Sequence, residues 1–552
     1  MDEQNNNSPD EPIEEVSAPE TPAETGDIPA PETFSDEAVE SPYKNGFLRR
    51  LDDYYGVTRK KSSIRVEIMA GVATFLAMGY ILVVNPNQIL SFDTGDPLWP
   101  SVFLATAFGA LIGTLLMSFV AKMPYAQAPG MGLNSMVGTL LSGAAGGGAA
   151  MMFSFGTAML LVLISGLIFL LLSVIPGGRD KETGKLKSLR EYIFDGIPKS
   201  LRSAIPVGIG LFIAYIGFQN AGVIKASAFT QVDLINFNIY TPQLVQSGGT
   251  VMTLASPLIC LAGLIVIAVL SHFKFKAAVI IGMIVATIIA IPTGVADVNV
   301  LTGNGGVTWK FWENFANFFS MDASKGGSFL AAFTDVDFSE KSVLYCIMTV
   351  VSFCMIDMFD TLGTVTGCAT RAGLLDKDGK PLNLDKCMYA DSIATCTGAL
   401  LGTSTVTTFV ESGTGVAAGG RTGLTSLTTA TLFLLSIFLL PFFAFIPSAA
   451  AACALVYVGV LMMGNVKNVD FDTVRNAVPA FFTIIIMPLG YSITDGIGMG
   501  MMMYTIISLV EFAVGWVLAA VKKTEKPKFD IPIVTFIVTL MFAAYFFIPF
   551  DV

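Results

Sequence analysis

From residue 65 to residue 549 apolar positions run in nearly unbroken stretches, separated by short polar or basic turns. A helix rises 1.5 Å per residue, so about 20 such residues cross the hydrocarbon core of a bilayer. Spans of this kind fall at about 65–90, 101–121, 151–175, 206–220, 251–271 and 276–293. After a long polar loop at 294–341 they resume around Val350–Thr364 and at about 387–402, 424–446, 448–464, 477–491 and 496–520. The runs are continuous, whereas strands of a β-barrel would alternate. One more apolar run, 531–549, leaves its topology open between crossing, re-entering and lying at the interface.

Two stretches break the pattern. Met123-Pro-Tyr-Ala-Gln-Ala-Pro-Gly-Met-Gly-Leu-Asn134 follows the second span, and Phe409-Val-Glu-Ser-Gly-Thr-Gly-Val-Ala-Ala-Gly-Gly-Arg421 follows the ninth. Both are too short and glycine-rich to span as one helix. A short extended run opening a half-helix leaves backbone N–H groups unpaired at the helix start, where a polar ligand binds. Aligning the preceding runs Gly113-Thr-Leu-Leu and Gly398-Ala-Leu-Leu places Gly130 on Gly415. Interrupted segments at matching places in two halves point to an inverted-repeat transporter. Seven spans per half is an odd number, so the halves insert with opposite orientation. The expectation is an all-α polytopic membrane protein of about 14 transmembrane segments. These form two inverted seven-segment repeats, with a short strand plus half-helix at segments 3 and 10.

Charge orients the chain. Basic residues at 41–64 (Lys44, Arg49, Arg50, Arg59, Lys60, Lys61), at 177–199 and after 520 place the N-terminus in the cytoplasm. The formal charge of −11 misleads. Residues 1–40 hold 13 acidic residues and no Lys or Arg, and the remainder is slightly basic. That tail lacks periodicity and reads as disordered, and without a basic start and apolar centre it is no signal peptide. Overall 53% of the 552 residues are hydrophobic and 14% charged. The seven cysteines form no Cys-x-x-Cys pair, and His272 is the single histidine. No metal site, cofactor or disulfide framework is expected, and no enzyme or nucleic-acid partner.

The chemistry lies in acids at hydrocarbon depth, which mark function by default. Glu411 opens the second broken segment. Asp357 and Asp360 lie three apart in the eighth span, on or near one helix face. Buried carboxylates resist ionisation, so Glu411, Asp360 and Asp357 are candidate proton carriers. Two carboxylates suit a neutral ligand with several N–H donors, such as a purine base, and repel an anion. Asn134 either bonds substrate or caps the half-helix. Gly130 and Gly415 mark the two half-helix starts. Phe75, Phe353 and Phe359 either stack on a planar base or belong to the core. The competing reading is an anion transporter or channel of the same fold, which calls for a basic residue or bare helix dipoles at the site.

Four motifs carry a resemblance: Val72–Pro86, Ala128-Pro-Gly-Met-Gly-Leu-Asn134, Phe359-Asp-Thr-Leu-Gly-Thr364 and Glu411–Gly423. Over about 65–520 the chain resembles the purine-permease (AzgA-like) branch of the second nucleobase:cation symporter family. The resemblance implies uptake of hypoxanthine, guanine or adenine with protons by a plasma-membrane homodimer, whose core slides past a gate like an elevator. It assigns base binding to Asp360, Glu411 and Asn134. The implied organisation is a tail (1–46), a first repeat (47–293; core 65–175, gate 200–293) and an external loop (294–341). A second repeat (342–520; core 342–446, gate 448–520) and a C-terminal segment (521–552) follow. The tail and the run at 531–549 lie outside the pattern.

Overall fold

The computed structural model describes residues 41–91, 96–143, 152–179, 186–227, 231–237, 251–296, 298, 300, 309–320, 326–339, 343–375, 380–522 and 529–547. The acidic tail at 1–40 and the glycines at 146–148 lie outside these residues. Among the described residues, nine helices are long and apolar enough to cross a membrane. Three shorter apolar helices accompany them, at 278–290, 474–489 and 533–547.

A short amphipathic helix, α1 (Gly46–Tyr55), precedes the membrane, with the Asn45 side chain accepting from Phe47 N. The first span is two helices, α2 (Ile64–Met78) and α3 (Ile81–Ile89), separated by a turn at Gly79–Tyr80. The sequence places a kink or helix end at Asn85-Pro86, but Pro86 sits inside α3 and the interruption comes six residues earlier, at Tyr80. Next come α4 (Trp99–Leu116), which passes into a π-turn at Met117–Ala121, β1 (Gln127–Pro129), α5 (Met131–Ser142) and α6 (Phe155–Val174). A hairpin of β2 (Pro176–Arg179) and β3 (Leu186–Ser188) leads to α7 (Leu189–Asp195) and α8 (Lys199–Asn220). A second hairpin, β4 (Ile224–Ser227) and β5 (Gln231–Leu234), precedes α9 (Val251–His272) and α10 (Ala278–Ala290).

The polar loop carries α11 (Phe311–Phe318) and α12 (Ala331–Thr334). Phe315 and Phe318 pack on Phe108 of α4. The second half repeats the order with α13 (Val343–Ala372), α14 (Leu384–Leu401), β6 (Val406–Thr408), α15 (Ser412–Ala417) and α16 (Gly423–Ser436). It continues through α17 (Leu440–Ala444), α18 (Ser448–Met463), α19 (Val474–Leu489) and α20 (Ile493–Lys522). Helices α2, α4 and α6 pack chiefly with α13–α16, α3 packs on α4 and α5, and α8–α10 pack chiefly with α18–α20.

β1 and β6 pair antiparallel, Gln127 opposite Thr408, Ala128 opposite Thr407 and Pro129 opposite Val406. Each strand feeds its own half-helix, so α5 and α15 leave the pair in opposite directions. This is the inverted-repeat geometry. The residue types fit: Thr405-Val-Thr-Thr408 is β-branched, and Pro129 cannot donate within a helix.

The register read from the Gly-x-Leu-Leu runs slips here. Fourteen positions separate Gly113 from Gln127, but eight separate Gly398 from Val406. The π-turn and the segment after it lengthen the first half, so Glu411 caps α15 where Gly130 caps α5.

The C-terminal run forms α21 (Ile533–Phe547). Thr535 Oγ1 donates to Gly196 O beside α7 at one end. Thr539 and Thr505 hydroxyls lie 2.8 Å apart along α20. At the other end Tyr545 stacks on Tyr345 of α13, centroids 6.3 Å apart. The helix therefore runs along α20 from the α7 end to the N-terminal end of α13.

Candidate functional site

The strand pair brings both half-helix starts to one place. α5 opens at Gly130 without a side-chain cap, and Gly130 N donates to Thr405 O at 2.9 Å. Its first-turn N–H groups have no helical acceptors, as at any helix start. A Cβ on Gly130 would lie 2.7 Å from Thr407 Cγ2 and 3.8 Å from Asp360 Oδ2. Asp360 thus comes from mid-α13 to face the first half-helix start.

Glu411 stands at the start of the second. Both acids are partly accessible, while nearly everything around them is buried. Asp360 and Glu411 approach the same half-helix start, Asp360 beside Gly130 and Glu411 through Tyr80 beside Met131. Glu411 Oε1 accepts a hydrogen bond from Tyr80 Oη at 2.6 Å, and the same hydroxyl lies 3.6 Å from Met131 Sδ. Tyr80 occupies the turn between α2 and α3, so the broken first span delivers it here.

The other sequence candidates separate. Asp357 is buried one turn from Asp360 and turns toward α14, where Thr395 Oγ1 donates to its Oδ2 at 2.9 Å. Asn134 is fully buried. Its Oδ1 accepts from Ser404 Oγ and its Nδ2 donates to Pro129 O at 3.4 Å, so it ties α5 to the approach of β6. Gly415 lies against α2, where a Cβ would come within 2.1 Å of Thr74 Oγ1; it is a packing contact away from Gly130. Phe353 and Phe359 are buried in the core, whereas Phe75 is half-buried, edge-on to Phe433 at 5.2 Å.

Three polar residues escaped the sequence reading. Asp391 of α14 is fully buried, and its Oδ1 accepts from Gln127 Nε2 at 2.7 Å and Thr361 Oγ1 at 2.8 Å. The rule that singled out Asp360 applies equally to this acid inside the ninth span. Gln127 sits inside the first broken stretch. Tyr80 had no signal beyond its place in an apolar run.

Where the second broken segment ends and the first begins, Glu67 accepts from Arg421 N, Thr422 N and Thr425 Oγ1 at 3.0, 3.2 and 2.6 Å. Lys60 Nζ donates to Arg421 O at 3.1 Å and Lys122 O at 3.5 Å. Burial pulls the Lys60 ammonium down to about 8, against the opposing effect of Glu67. Among the described residues no cluster of His, Cys, Asp and Glu has the arrangement to hold a metal.

This combination of two antiparallel broken segments with a partly accessible acid at each half-helix start is that of a membrane permease built on inverted repeats. The profile of the Permease family, that of the xanthine and uracil permeases, matches residues 65–499, and the chain belongs to that family. It is a multi-pass transporter and not an enzyme. The guanine/hypoxanthine permease PbuO of Bacillus subtilis (strain 168) is 37% identical over 459 residues, 82% of this chain and 93% of that protein. The adenine permease AdeQ of Escherichia coli (strain K12) is 34% identical over 466 residues, 84% and 91% respectively. The chain falls in the branch that holds these permeases.

Among solved structures, the transmembrane domain of the cyanobacterial bicarbonate transporter BicA aligns with a TM-score of 0.50 at 16% identity, covering 78% of this chain and 97% of that one. The inward-facing murine anion transporter Slc26a9 aligns at 0.53 and 13% identity, covering 87% and 74%. At these identities the likeness concerns the fold alone.

Proposed function

We propose that this permease imports purine nucleobases with protons across the plasma membrane, its N-terminus in the cytoplasm. The observation that carries the reading is the pair Asp360 and Glu411, both partly accessible and both at the meeting of the two half-helix starts. Two carboxylates there accept N–H bonds from a neutral heterocycle, and either can take a proton from one side and release it on the other. The relatives named for guanine, hypoxanthine and adenine support the substrate class. An anion fits poorly, because both acids oppose it.

In this reading α2–α6 with α13–α16 form the moving core, and α8–α10 with α18–α20 the gate of a homodimer. The core carries the base past the gate. Tritiated hypoxanthine uptake into proteoliposomes, with and without an inward acid gradient, tests the proposal. Accumulation only with the gradient is expected. Uptake indifferent to it removes the coupling, and absence of any purine uptake removes the substrate class.

A further inference from the structure

Tyr80 is the one described side chain hydrogen bonded to Glu411. It is 1% exposed, and its hydroxyl reaches residues from both half-helix starts, Met131 of α5 and Glu411 ahead of α15. A tyrosine hydroxyl has one hydrogen to give and lone pairs to accept with. It can donate to Glu411 Oε1 or to Met131 Sδ, but not to both.

We infer that the Tyr80 hydroxyl is a two-position rotor that reads the protonation of Glu411 and passes it to the start of the first half-helix. The inference rests on the reading that Glu411 carries the coupled proton. With Glu411 ionised, Tyr80 O–H donates to Oε1, leaving Oε2 free to accept from the base. When a proton from the aqueous phase binds Oε1, that new O–H donates to the Tyr80 oxygen. The Tyr80 hydrogen then swings to Met131 Sδ, with no bond of Tyr80 broken. One proton enters and one hydrogen rotates. The other titratable group at this half-helix start is Asp360 from α13, beside Gly130. Asp357 is turned to α14, Glu67 lies at the far end against Arg421, and the Arg421 guanidinium is held by Val416 O and Gly420 O. Tyr80 is therefore a positioning residue that acts through Glu411.

The test measures binding of tritiated hypoxanthine to the purified full-length protein between pH 5.5 and 8.5. Tyr80→Phe removes a donor from the ionised carboxylate, so the midpoint of the pH profile moves toward alkaline by about one unit, the size of one hydrogen bond to a charged group. Met131→Leu, which conserves volume, removes the second acceptor and moves the midpoint the other way by less. In the double variant the Met131 effect vanishes, because the hydroxyl that used it is gone. Additive shifts overturn the rotor, as does an unmoved midpoint in Tyr80→Phe. If Tyr80→Phe does not fold, an acid shift in Met131→Leu supports the rotor and an unmoved midpoint there overturns it. Glu411→Gln separates the two levels. Wild-type pH dependence in that variant overturns the proton role of Glu411 and the rotor together, whereas its loss beside an unmoved Tyr80→Phe profile overturns the rotor alone.

Discussion

Gln127 Nε2 donates to Asp391 Oδ1 at 2.7 Å, joining the strand of the first broken segment to a helix of the second repeat. Thr361 adds a second bond to the same oxygen and lies 2.6 Å from Thr407 Oγ1 of β6. The crossing of the two strands is therefore braced by side chains as well as by the ladder. Asp391→Ala removes the short acceptor of both groups, leaving the Gln127 amide only Thr408 Oγ1 at 3.4 Å and the Thr361 hydroxyl only Thr407 Oγ1, at a cost of about 1–3 kcal/mol in all. The variant should melt several degrees lower in detergent and transport poorly. Asp391→Asn keeps one acceptor oxygen and should recover most of the melting temperature. Equal melting of Ala and Asn variants would rule out the bracing role.

Asp360→Asn tests a different role, because Asp360 is partly accessible and lies at the first half-helix start. The amide keeps the shape but replaces one acceptor oxygen with a donor. A base N–H then meets another N–H, and losing a bond to a charged group weakens binding about 100-fold. Membrane insertion and melting should stay close to wild type. Near-normal hypoxanthine uptake by Asp360→Asn would contradict the assignment.

Gly130 and Gly415 should respond to different degrees. A methyl on Gly130 meets Thr407 Cγ2 at 2.7 Å and projects toward Asp360 Oδ2 at 3.8 Å. Thr407 is buried, β-branched and set against the Thr361 hydroxyl, so the strand must give by a few tenths of an ångström. Gly130→Ala should lower base affinity more than it lowers the melting temperature. A methyl on Gly415 meets Thr74 Oγ1 at 2.1 Å and Ala70 O at 2.8 Å, so α15 must move off α2. Gly415→Ala should lower the melting temperature and the yield of folded protein. Fluorescence-detected size exclusion alongside base binding distinguishes the two.

These contrasts mark what the sequence made legible. The helices, the two broken segments and the acids beside them stand out, because long apolar runs, glycine breaks and intramembrane carboxylates can be read locally. Register was not legible. The π-turn at Met117–Ala121 shifts the first half against the second, and no local residue pattern announced it. That slip put Gly415 opposite Gly130, where the structure has Glu411. Asn134 was ambiguous between cap and ligand because its partner, Ser404, is 270 positions away. Tyr80 was invisible for the same reason: its contact with Glu411 spans 331 positions.

Lys60 gives the folded protein a pH dependence outside the membrane. Burial is the main cause of its lowered value of about 8, against an ordinary 10.5. Below pH 8 the ammonium is charged in both states, and the folded state bears the full cost of burying it. Between about 8 and 10.5 the unfolded chain binds more protons than the folded one, so stability rises with pH across that window. Melting temperatures of wild type should climb from pH 8 to pH 10 relative to Lys60→Gln, which removes the titrating group. Parallel curves for the two proteins would contradict the buried-ammonium account.

The last helix lies outside the two repeats and packs along α20. α21 is 15 residues long, about 22 Å at 1.5 Å per residue, shorter than a typical span. Its contacts nevertheless run from Gly196 to Tyr345, which the charge pattern puts on opposite sides of the membrane. Gly498 of α20 makes the close approach: a Cβ there would lie 2.5 Å from Phe542 Cδ1 and 2.8 Å from Phe546. Gly498→Val should push α21 off α20, at a cost of about 1–3 kcal/mol for overpacking. Single cysteines replace Phe529 and Phe547, both more than half exposed, in a background whose seven native cysteines are changed to serine or alanine. An impermeant maleimide should label the first from the cytoplasmic face and the second from outside. Labelling of both from one face would make α21 an interfacial or re-entrant helix, and the Tyr345–Tyr545 contact would then have no place in the membrane-embedded protein.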